Sequence, residues 1–274
     1  MSTPRATVPF ISLDDLYGEE AADWMRLSPR QRWTETVRLA AWFHALGGTS
    51  DPDPDPSSPF YDPAVRRARP VDGGQACVLY GAAEYSRDLD LAVLATDEAL
   101  PRLTDALQAL HATVIAVPRF EQQYLARGHV VHFNVPPHAD LGPVPPLRVD
   151  IMSRMRGVAP FAELWERRTT IALSDPSSQA EVLVDLLSLG DLVNAKKTQR
   201  DKDWPMLRRL VDASYASARD AEVSEEQIDF WLAELRSPEF LREVMTQFPE
   251  RAARSHRGAV SAVRDDRDVA HAPA

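Results

Sequence analysis

The sequence predicts an α+β fold, in which a small mixed sheet with flanking helices is followed by a helical C-terminal region. Three observations predict it. Apolar residues recur at helical spacing over 28–46. Short stretches of alternating apolar and polar residues, typical of β-strands, lie between 88 and 152. From Phe161 onward, most apolar residues again recur at helical spacing.

The N-terminal helix has clear start and stop signals. Ser28 suits an N-cap position, and Pro29 suits the first helical position because it lacks the N–H that a first turn leaves unpaired. The Gly47-Gly48 pair ends the periodic stretch. A shorter helix is expected before it, around 13–25.

The middle of the chain predicts a sheet. A helix-like or mixed segment holds QACVLYGAA, and a helix capped by Thr96 and Asp97 runs through DEALPRLTDALQALHA. Strands are predicted at DLDLAVLA, TVIAVPRF, HVVHFNV and PLRVDIMS.

The C-terminal part predicts helices. EVLVDLLSLGDLVNAKK has a helical pattern, and Pro205 opens the next helix at WPMLRRLVDA. SEEQIDFWLAEL and SPEFLREVMTQF each begin with a serine that suits an N-cap. The polar sequence from 254 onward predicts a disordered tail.

These patterns divide the chain into five parts. They are an N-terminal helical appendage over 1–48, an acidic proline-rich linker over 49–66, a core that holds the predicted sheet over 67–160, a helical C-terminal region over 161–253 and a disordered tail over 254–274.

Composition excludes some classes of protein. A net charge of −10 argues against a protein that coats nucleic acid along its whole surface. Cys77 is the only cysteine, which excludes an intramolecular disulfide or a multi-cysteine zinc site and fits a reducing compartment. The sequence has no recognisable signal peptide and no apolar run of about 20 residues. We therefore expect a cytoplasmic protein with no membrane contact.

Two aspartates separated by one residue are the first candidate for chemistry. Side chains two apart on a strand share a face, so Asp88 and Asp90 point the same way. Paired carboxylates are hard oxygen ligands of the kind that Mg²⁺ uses when it also holds phosphates. The upstream Gly73-Gly74 step lets a backbone turn approach such phosphates closely. Taken alone, the two aspartates could equally be a solvated turn-forming pair.

Three further features follow in order. Arg148 and Asp150 lie on one face of a predicted strand, where they could also be an exposed cross-strand ion pair. A basic helical segment comes next, and its charges could equally pair with one another at a solvated helix end. The motifs are Gly73-Gly74 with Asp88-Leu89-Asp90, then Arg148-Val149-Asp150-Ile151, then Asp191 through Lys196-Lys197, then Arg200-Asp201-Lys202-Asp203.

In this order, the motifs from Gly73 to Leu210 resemble the nucleotidyltransferases of the DNA polymerase β-like superfamily, closest to the abortive-infection toxin-type branch. The sequence departs from that pattern at Gln75, where many members of the superfamily have serine. In another reading of the same region, CVLYG supplies the first strand and Gly81 takes the glycine role.

The resemblance implies a site and a cofactor. Asp88, Asp90 and Asp150 would be catalytic and would bind Mg²⁺ or Mn²⁺, and Asp150 would help to take a proton from the acceptor. The implied nucleotide-binding residues are Gly73, Gly74, Gln75, Ser86, Arg87, Arg148, Lys196, Lys197, Arg200, Lys202 and Asp203.

The implied reaction is transfer of a nucleoside monophosphate from a nucleoside triphosphate to an acceptor hydroxyl, with tRNA or protein as the acceptor. The resemblance also implies the toxin of a toxin–antitoxin or phage-defence system, with an antitoxin protein as a possible partner. Two alternatives stay open. One is transfer to a small molecule such as an antibiotic, and the other is an inactive homologue that binds a nucleotide or a partner protein.

His129, His132 and His138 are not expected to converge on a metal.

Overall fold

The structure is a computed structural model, and it describes residues 11–46, 74–86, 88–115, 118–137, 146–155, 157–174, 181–197 and 203–270. The described residues fall into two compact units, one drawn from 28–200 and the other from 1–27 together with 201–274. Helices and two sheets are both present, so the α+β class is confirmed. The predicted linker over 49–66 lies outside the described residues.

A four-stranded mixed sheet forms the centre of the 28–200 unit. In chain order its strands are β1 Asp88–Ala92, β2 Thr113–Val114, β3 Val131–Val135 and β4 Leu147–Met152. The spatial order is β1-β4-β3-β2, in which β1 pairs with β4 in parallel and the other pairs are antiparallel. These strands lie within the four predicted stretches.

One face of this sheet carries the apolar core. Every second residue of β1, β3 and β4 points to that face, because side chains alternate along a strand. Leu107 lies in the same core and belongs to the helix α5, Ala99–Ala109. The buried members are Leu107, Leu125, Val131, Phe133, Val135, Val149 and Ile151. The intervening strand residues therefore face the other side of the sheet, where the acidic side chains lie.

The described part of this unit also contains five other helices. They are α3 Pro29–Ala45, α4 Gly74–Leu79, α6 Gln122–Ala126, α7 Phe161–Arg167 and α8 Leu189–Lys197. Helix α3 agrees with the predicted start at Ser28. Helix α4 excludes the reading in which CVLYG is a strand.

The predicted helix EVLVDLLSLGDLVNAKK is wrong in its first half. Glu181–Leu186 forms the strand β6, which pairs antiparallel with β5, Thr169–Ser174. The helical C-terminal region predicted over 161–253 therefore contains a two-stranded sheet. A short apolar run fits strand and helix equally well, and β-branched Val182 and Val184 favour the strand once a partner is available.

Helix α3 braces the segment that precedes β1. The guanidinium of Arg32 donates to the carbonyl of Leu79 at 2.6 Å, so it satisfies the C-terminal end of α4. Burial lowers the pKa of Arg32 to about 10. The hydroxyl of Thr36 donates to the carbonyl of Glu84 at 2.8 Å. These two bonds hold both ends of the turn that leads into β1.

The second unit is entirely helical in its described part. Its helices are α1 Leu13–Tyr17, α2 Glu19–Arg26, α9 Trp204–Ala218, α10 Glu225–Glu234, α11 Pro238–Gln247, α12 Pro249–Arg254 and α13 Gly258–Ala270. The boundary between the units thus falls inside the predicted appendage 1–48, since α1 and α2 belong with the C-terminal helices and α3 belongs with the sheet.

Two details of the C-terminal helices differ from the sequence predictions. The tail from 254 is not disordered over 258–270, because α13 places Val260 and Val263 three residues apart on one buried face. Ser224 caps α10, whereas Ser237 makes no capping bond and donates its hydroxyl to the buried carboxylate of Asp212.

Among the described helices, none has both the length and the apolar character needed to cross a membrane.

The turn before β1 predicts that Gly81→Ala destabilises the protein. Gly81 has a φ of +90°, and a Cβ there would lie 2.8 Å from Cζ of Arg32. The left-handed backbone costs roughly 1–2 kcal/mol for alanine, and displacing the Arg32 bond adds about 1–3 kcal/mol. Thermal unfolding followed by circular dichroism measures the sum.

Gly128→Ala is the matched control. Gly128 lies in the same unit with a φ of +86°, and its Cβ would meet only Arg154 Cβ at an ordinary 3.8 Å. This variant should therefore show the backbone cost alone. Equal losses of stability in the two variants would contradict the bracing role of Arg32.

Candidate metal centre

Three carboxylates meet on the polar face of the four-stranded sheet. The parallel register of β1 and β4 sets Asp90 opposite Asp150 and Asp88 opposite Arg148. One oxygen from each of Asp88, Asp90 and Asp150 lies within 4.8 Å of the others. Among the described residues this is the one group of three or more His, Cys, Asp or Glu side chains that converges closely enough to hold a metal ion.

Burial distinguishes these aspartates from a surface pair. Asp88 is 1% exposed and Asp150 is fully buried. The alternative that Asp88 and Asp90 are a solvated turn therefore fails, because both belong to β1 and Asp88 is inaccessible to water. Buried carboxylates need hydrogen bonds or opposite charges, and the surroundings supply them unequally.

Side chains of the protein contact both oxygens of Asp150. Arg148 Nε donates to Oδ1 at 2.8 Å and its Nη2 donates to Oδ2 at 3.0 Å, a bidentate arrangement. Arg148 and Asp150 are both buried and lie on the same strand, so the pair is neither exposed nor cross-strand. His132 on β3 stands opposite Asp150, with its Nδ1 2.8 Å from Oδ1.

Asp88 is satisfied on one side only. The hydroxyl of Ser86 donates to its Oδ1 at 3.0 Å, while its Oδ2 is buried and has no hydrogen-bond partner. Gly74 packs directly against Ser86, and an added Cβ there would lie 2.7 Å from the Ser86 Cβ. Gln75 Nε2 donates to the Ser86 carbonyl at 3.3 Å. The close approach that requires glycine at Gly74 is thus made to Ser86.

Burial raises the pKa of Asp88 from its ordinary 3.8 to about 7. The bond from Ser86 lowers the pKa, the charge of Asp150 raises it, and the charges of Arg148 and Lys196 lower it. Asp88 therefore changes charge near neutral pH when no cation is bound. An opposite charge beside Oδ2 would favour its ionised form.

Helix α8 brings a second cation to the site. Lys196 is 3% exposed, its Nζ is buried without a hydrogen-bond partner, and its charge acts on Asp88. Lys197 is the next residue on the helix, about 100° further round, so the two side chains leave on different faces. Lys196 is therefore the lysine that the helix directs toward the carboxylates.

Asp191 fixes the start of α8. The hydroxyl of Ser188 donates to its Oδ2 at 2.7 Å and accepts from its backbone N–H at 3.1 Å. Arg167 adds two bonds to the same carboxylate, at 3.1 and 2.9 Å. Although burial raises the pKa of Asp191, the bonds from Arg167 and Ser188 outweigh it and lower that pKa. Tyr80 OH also donates to the Leu187 carbonyl at 2.8 Å, which links α4 to the start of α8.

These residues fit a hard divalent cation. Three carboxylates offer oxygen ligands, and the buried Oδ2 of Asp88 lacks a partner in the protein. A cation bound by Asp88, Asp90 and Asp150 would supply the missing charge. The donor set is all oxygen, which is typical of magnesium and manganese sites.

The predicted site residues divide into three groups. Gly74, Gln75, Ser86, Asp88, Asp90, Arg148, Asp150 and Lys196 are linked by the contacts above. Lys197 is on α8, and Asp203 is buried at the start of α9 in the other unit. Gly73, Arg87, Arg200 and Lys202 lie outside the described residues.

His132 is the site residue that sequence reasoning missed. The spacing of the three histidines raises only the question of a zinc cluster, whereas His132 contacts the third carboxylate as a single residue. The signal lies in the pairing of β3 with β4, which sets residue 132 opposite residue 150. That register is not visible in either strand alone. His138 lies outside the described residues.

Comparisons with family models, with curated proteins and with solved structures found no match to this chain.

The pKa of Asp88 predicts a pH-dependent stability in the absence of metal. Its pKa is about 7 in the folded state and near 3.8 when unfolded, so the folded state binds more protons between these values. Its contribution therefore destabilises the fold progressively as pH rises from 4 to 7. We expect Asp88→Asn to raise the melting temperature at pH 8 in EDTA, with a gain that shrinks toward pH 4.

Asp97→Asn serves as the control, because Asp97 lies in an exposed turn and the substitution also removes one negative charge. Excess Mg²⁺ should reverse the order at pH 8, since it stabilises the wild type by binding and Asp88→Asn loses a ligand. A gain for Asp88→Asn that persists unchanged at pH 4 would contradict the raised pKa.

Proposed function

We propose that this chain is a metal-dependent nucleotidyltransferase of the DNA polymerase β-like superfamily, which moves a nucleoside monophosphate from a nucleoside triphosphate to an acceptor hydroxyl. One observation carries the proposal. Three carboxylates from two adjacent strands converge within 4.8 Å, and two buried cations accompany them. The order of motifs along the sequence supports the same conclusion.

Each residue has a task in this reaction. Asp88 and Asp90 on β1 would be two ligands of the cation, and Asp150 on β4 would be the third. The chemistry that bound Mg²⁺ or Mn²⁺ supplies is activation of the acceptor hydroxyl and neutralisation of charge on the phosphates and pyrophosphate. Ser86 fixes the orientation of Asp88 through its 3.0 Å bond.

The two cations would act on the triphosphate and on Asp150. Lys196 has a buried Nζ with no hydrogen-bond partner, so a phosphate oxygen would supply the acceptor that it lacks. Arg148 orients the carboxylate of Asp150 through its two bonds. Its Nη1 is also buried without a partner and would be available to a phosphate.

The acceptor follows from the resemblance rather than from the geometry. The toxin-type branch suggests tRNA or a protein side chain, and an antitoxin would then be a partner. A small-molecule acceptor such as an antibiotic is the alternative within the same chemistry.

One observation favours the second alternative, an inactive homologue that binds nucleotide or a partner. Both oxygens of Asp150 already accept from Arg148, and His132 contacts one of them, so this carboxylate is satisfied without a metal. Asp88 favours the metal-dependent enzyme instead, because its Oδ2 has no hydrogen-bond partner in the protein.

Label transfer tests the proposal directly. Purified protein is incubated with each of the four α-³²P-labelled ribonucleoside triphosphates, Mg²⁺ or Mn²⁺, and a cell lysate that is then fractionated into RNA, protein and small molecules. We expect label in one fraction. Asp88→Asn combined with Asp90→Asn should reduce it by more than about 10²-fold, whereas Asp97→Asn should not.

The fraction that gains label identifies the acceptor class. Nucleotide binding without transfer by the wild type would favour the inactive homologue. Transfer that survives in the double variant would overturn the assignment of these carboxylates.

Lys196 gives a second prediction, on substrate affinity. We expect Lys196→Gln to raise the KM for the triphosphate about tenfold or more, because a charge-assisted bond to phosphate is lost. Arg102→Gln removes a positive charge from an exposed position on α5 and should change KM by less than about threefold. Steady-state kinetics of both variants measures the difference, and equal effects would contradict a specific role for Lys196.

A further inference from the structure

We propose that His132 is a positioning residue that selects which oxygen of Asp150 is presented to a divalent cation. The inference rests on the metal site of the proposed function and goes beyond it, because it concerns a histidine that the motifs do not include. His132 would act through Asp150 rather than on a substrate.

His132 is built into the polar face of the sheet. It lies on β3 opposite Asp150, and its side chain is 12% exposed. Its Nδ1 lies 2.8 Å from Oδ1 of Asp150 and 3.0 Å from Nη2 of Arg148. The imidazole of His132, on β3, therefore contacts both the carboxylate and the guanidinium that β4 contributes.

The Nδ1 atom cannot serve both neighbours with one hydrogen. A carboxylate oxygen only accepts and a guanidinium nitrogen only donates, so Nδ1 either gives a proton to Asp150 or receives one from Arg148. Two acceptors at 2.8 Å would repel each other, and the bond to the charged carboxylate is the shorter and stronger of the two. We therefore assign the hydrogen to Nδ1, which donates to Oδ1.

Counting lone pairs then identifies the oxygen that stays available. An ionised carboxylate offers about four acceptor positions, two on each oxygen. Arg148 occupies one on Oδ1 and one on Oδ2, and His132 occupies the second on Oδ1. The remaining position is on Oδ2. Asp150 can thus face a cation through Oδ2 while Arg148 and His132 stay bound.

Without His132, Oδ1 regains an available position and Asp150 can meet a cation through either oxygen. Hydrogen-bond partners of metal ligands typically contribute about 10–100-fold to metal affinity, because they hold the ligand in one orientation. We expect a loss of this size when the donor is removed. A replacement that restores a donor at the same place should recover it.

Two substitutions distinguish the effect of the hydrogen-bond donor from the effect of side-chain packing. His132→Leu removes the nitrogen and keeps a side chain of moderate size, whereas His132→Asn places an amide N–H at the position of Nδ1. His129→Leu is the control, since it removes an exposed histidine near the start of the same strand. Mn²⁺ binding to the full chain at pH 8, followed by electron paramagnetic resonance, needs no catalytic turnover.

We expect His132→Leu to weaken Mn²⁺ binding about 10–100-fold, and His132→Asn and His129→Leu to bind close to the wild type. Wild-type affinity in His132→Leu would overturn the inference. Equal weakening in His132→Leu and His132→Asn, with both folded by circular dichroism, would also overturn it, because packing would then explain the effect.

The same samples are assayed for label transfer. Failure of the proposed nucleotidyltransferase function can then be told apart from failure of the role proposed for His132. A wild type that binds Mn²⁺ but transfers no label would overturn the proposed enzyme, while the binding data still decide the role of His132. A wild type that binds no Mn²⁺ would overturn both.

Discussion

The parallel pairing of β1 with β4 is the interaction on which the site depends. It sets Asp90 opposite Asp150 and Asp88 opposite Arg148, which joins two segments about 60 residues apart in the chain. The alternation of side chains along both strands then separates the apolar core from the carboxylates. A slip of one residue in either strand would send that strand's acidic side chains into the core and apolar ones to the polar face.

The surroundings of the three carboxylates are asymmetric. Asp150 accepts hydrogen bonds from Arg148 and contacts His132, so its burial is compensated within the protein before any ligand binds. Asp88 has one buried oxygen without a partner, and Lys196 has a buried ammonium without one. Buried polar atoms that lack hydrogen-bond partners are costly in a folded protein. A divalent cation together with a polyanionic ligand would satisfy both.

Local signals predicted much of the fold. The Ser28-Pro29 start identified α3, and each of the four strands of the main sheet lies within a predicted strand stretch. Strand β6 was missed because an apolar run of this length fits helix and strand alike, and its partner β5 supplies the deciding hydrogen bonds. Helix α13 was missed because two buried valines are a weak periodic signal in a polar stretch.

The candidate site was only partly visible in the sequence. Asp88 and Asp90 could be placed on one face by spacing alone, but the contacts of Asp150 with His132 depend on strand register. The sequence contains no distances between strands, so it could not distinguish a buried Arg148–Asp150 pair from an exposed one.

The most direct test of the metal site is a crystal structure with Mn²⁺ and a non-hydrolysable triphosphate at pH 8, with manganese located by anomalous scattering. The account predicts manganese bound by Asp88, Asp90 and Oδ2 of Asp150. Manganese bound elsewhere, or a site in which these carboxylates contact no metal, would contradict it.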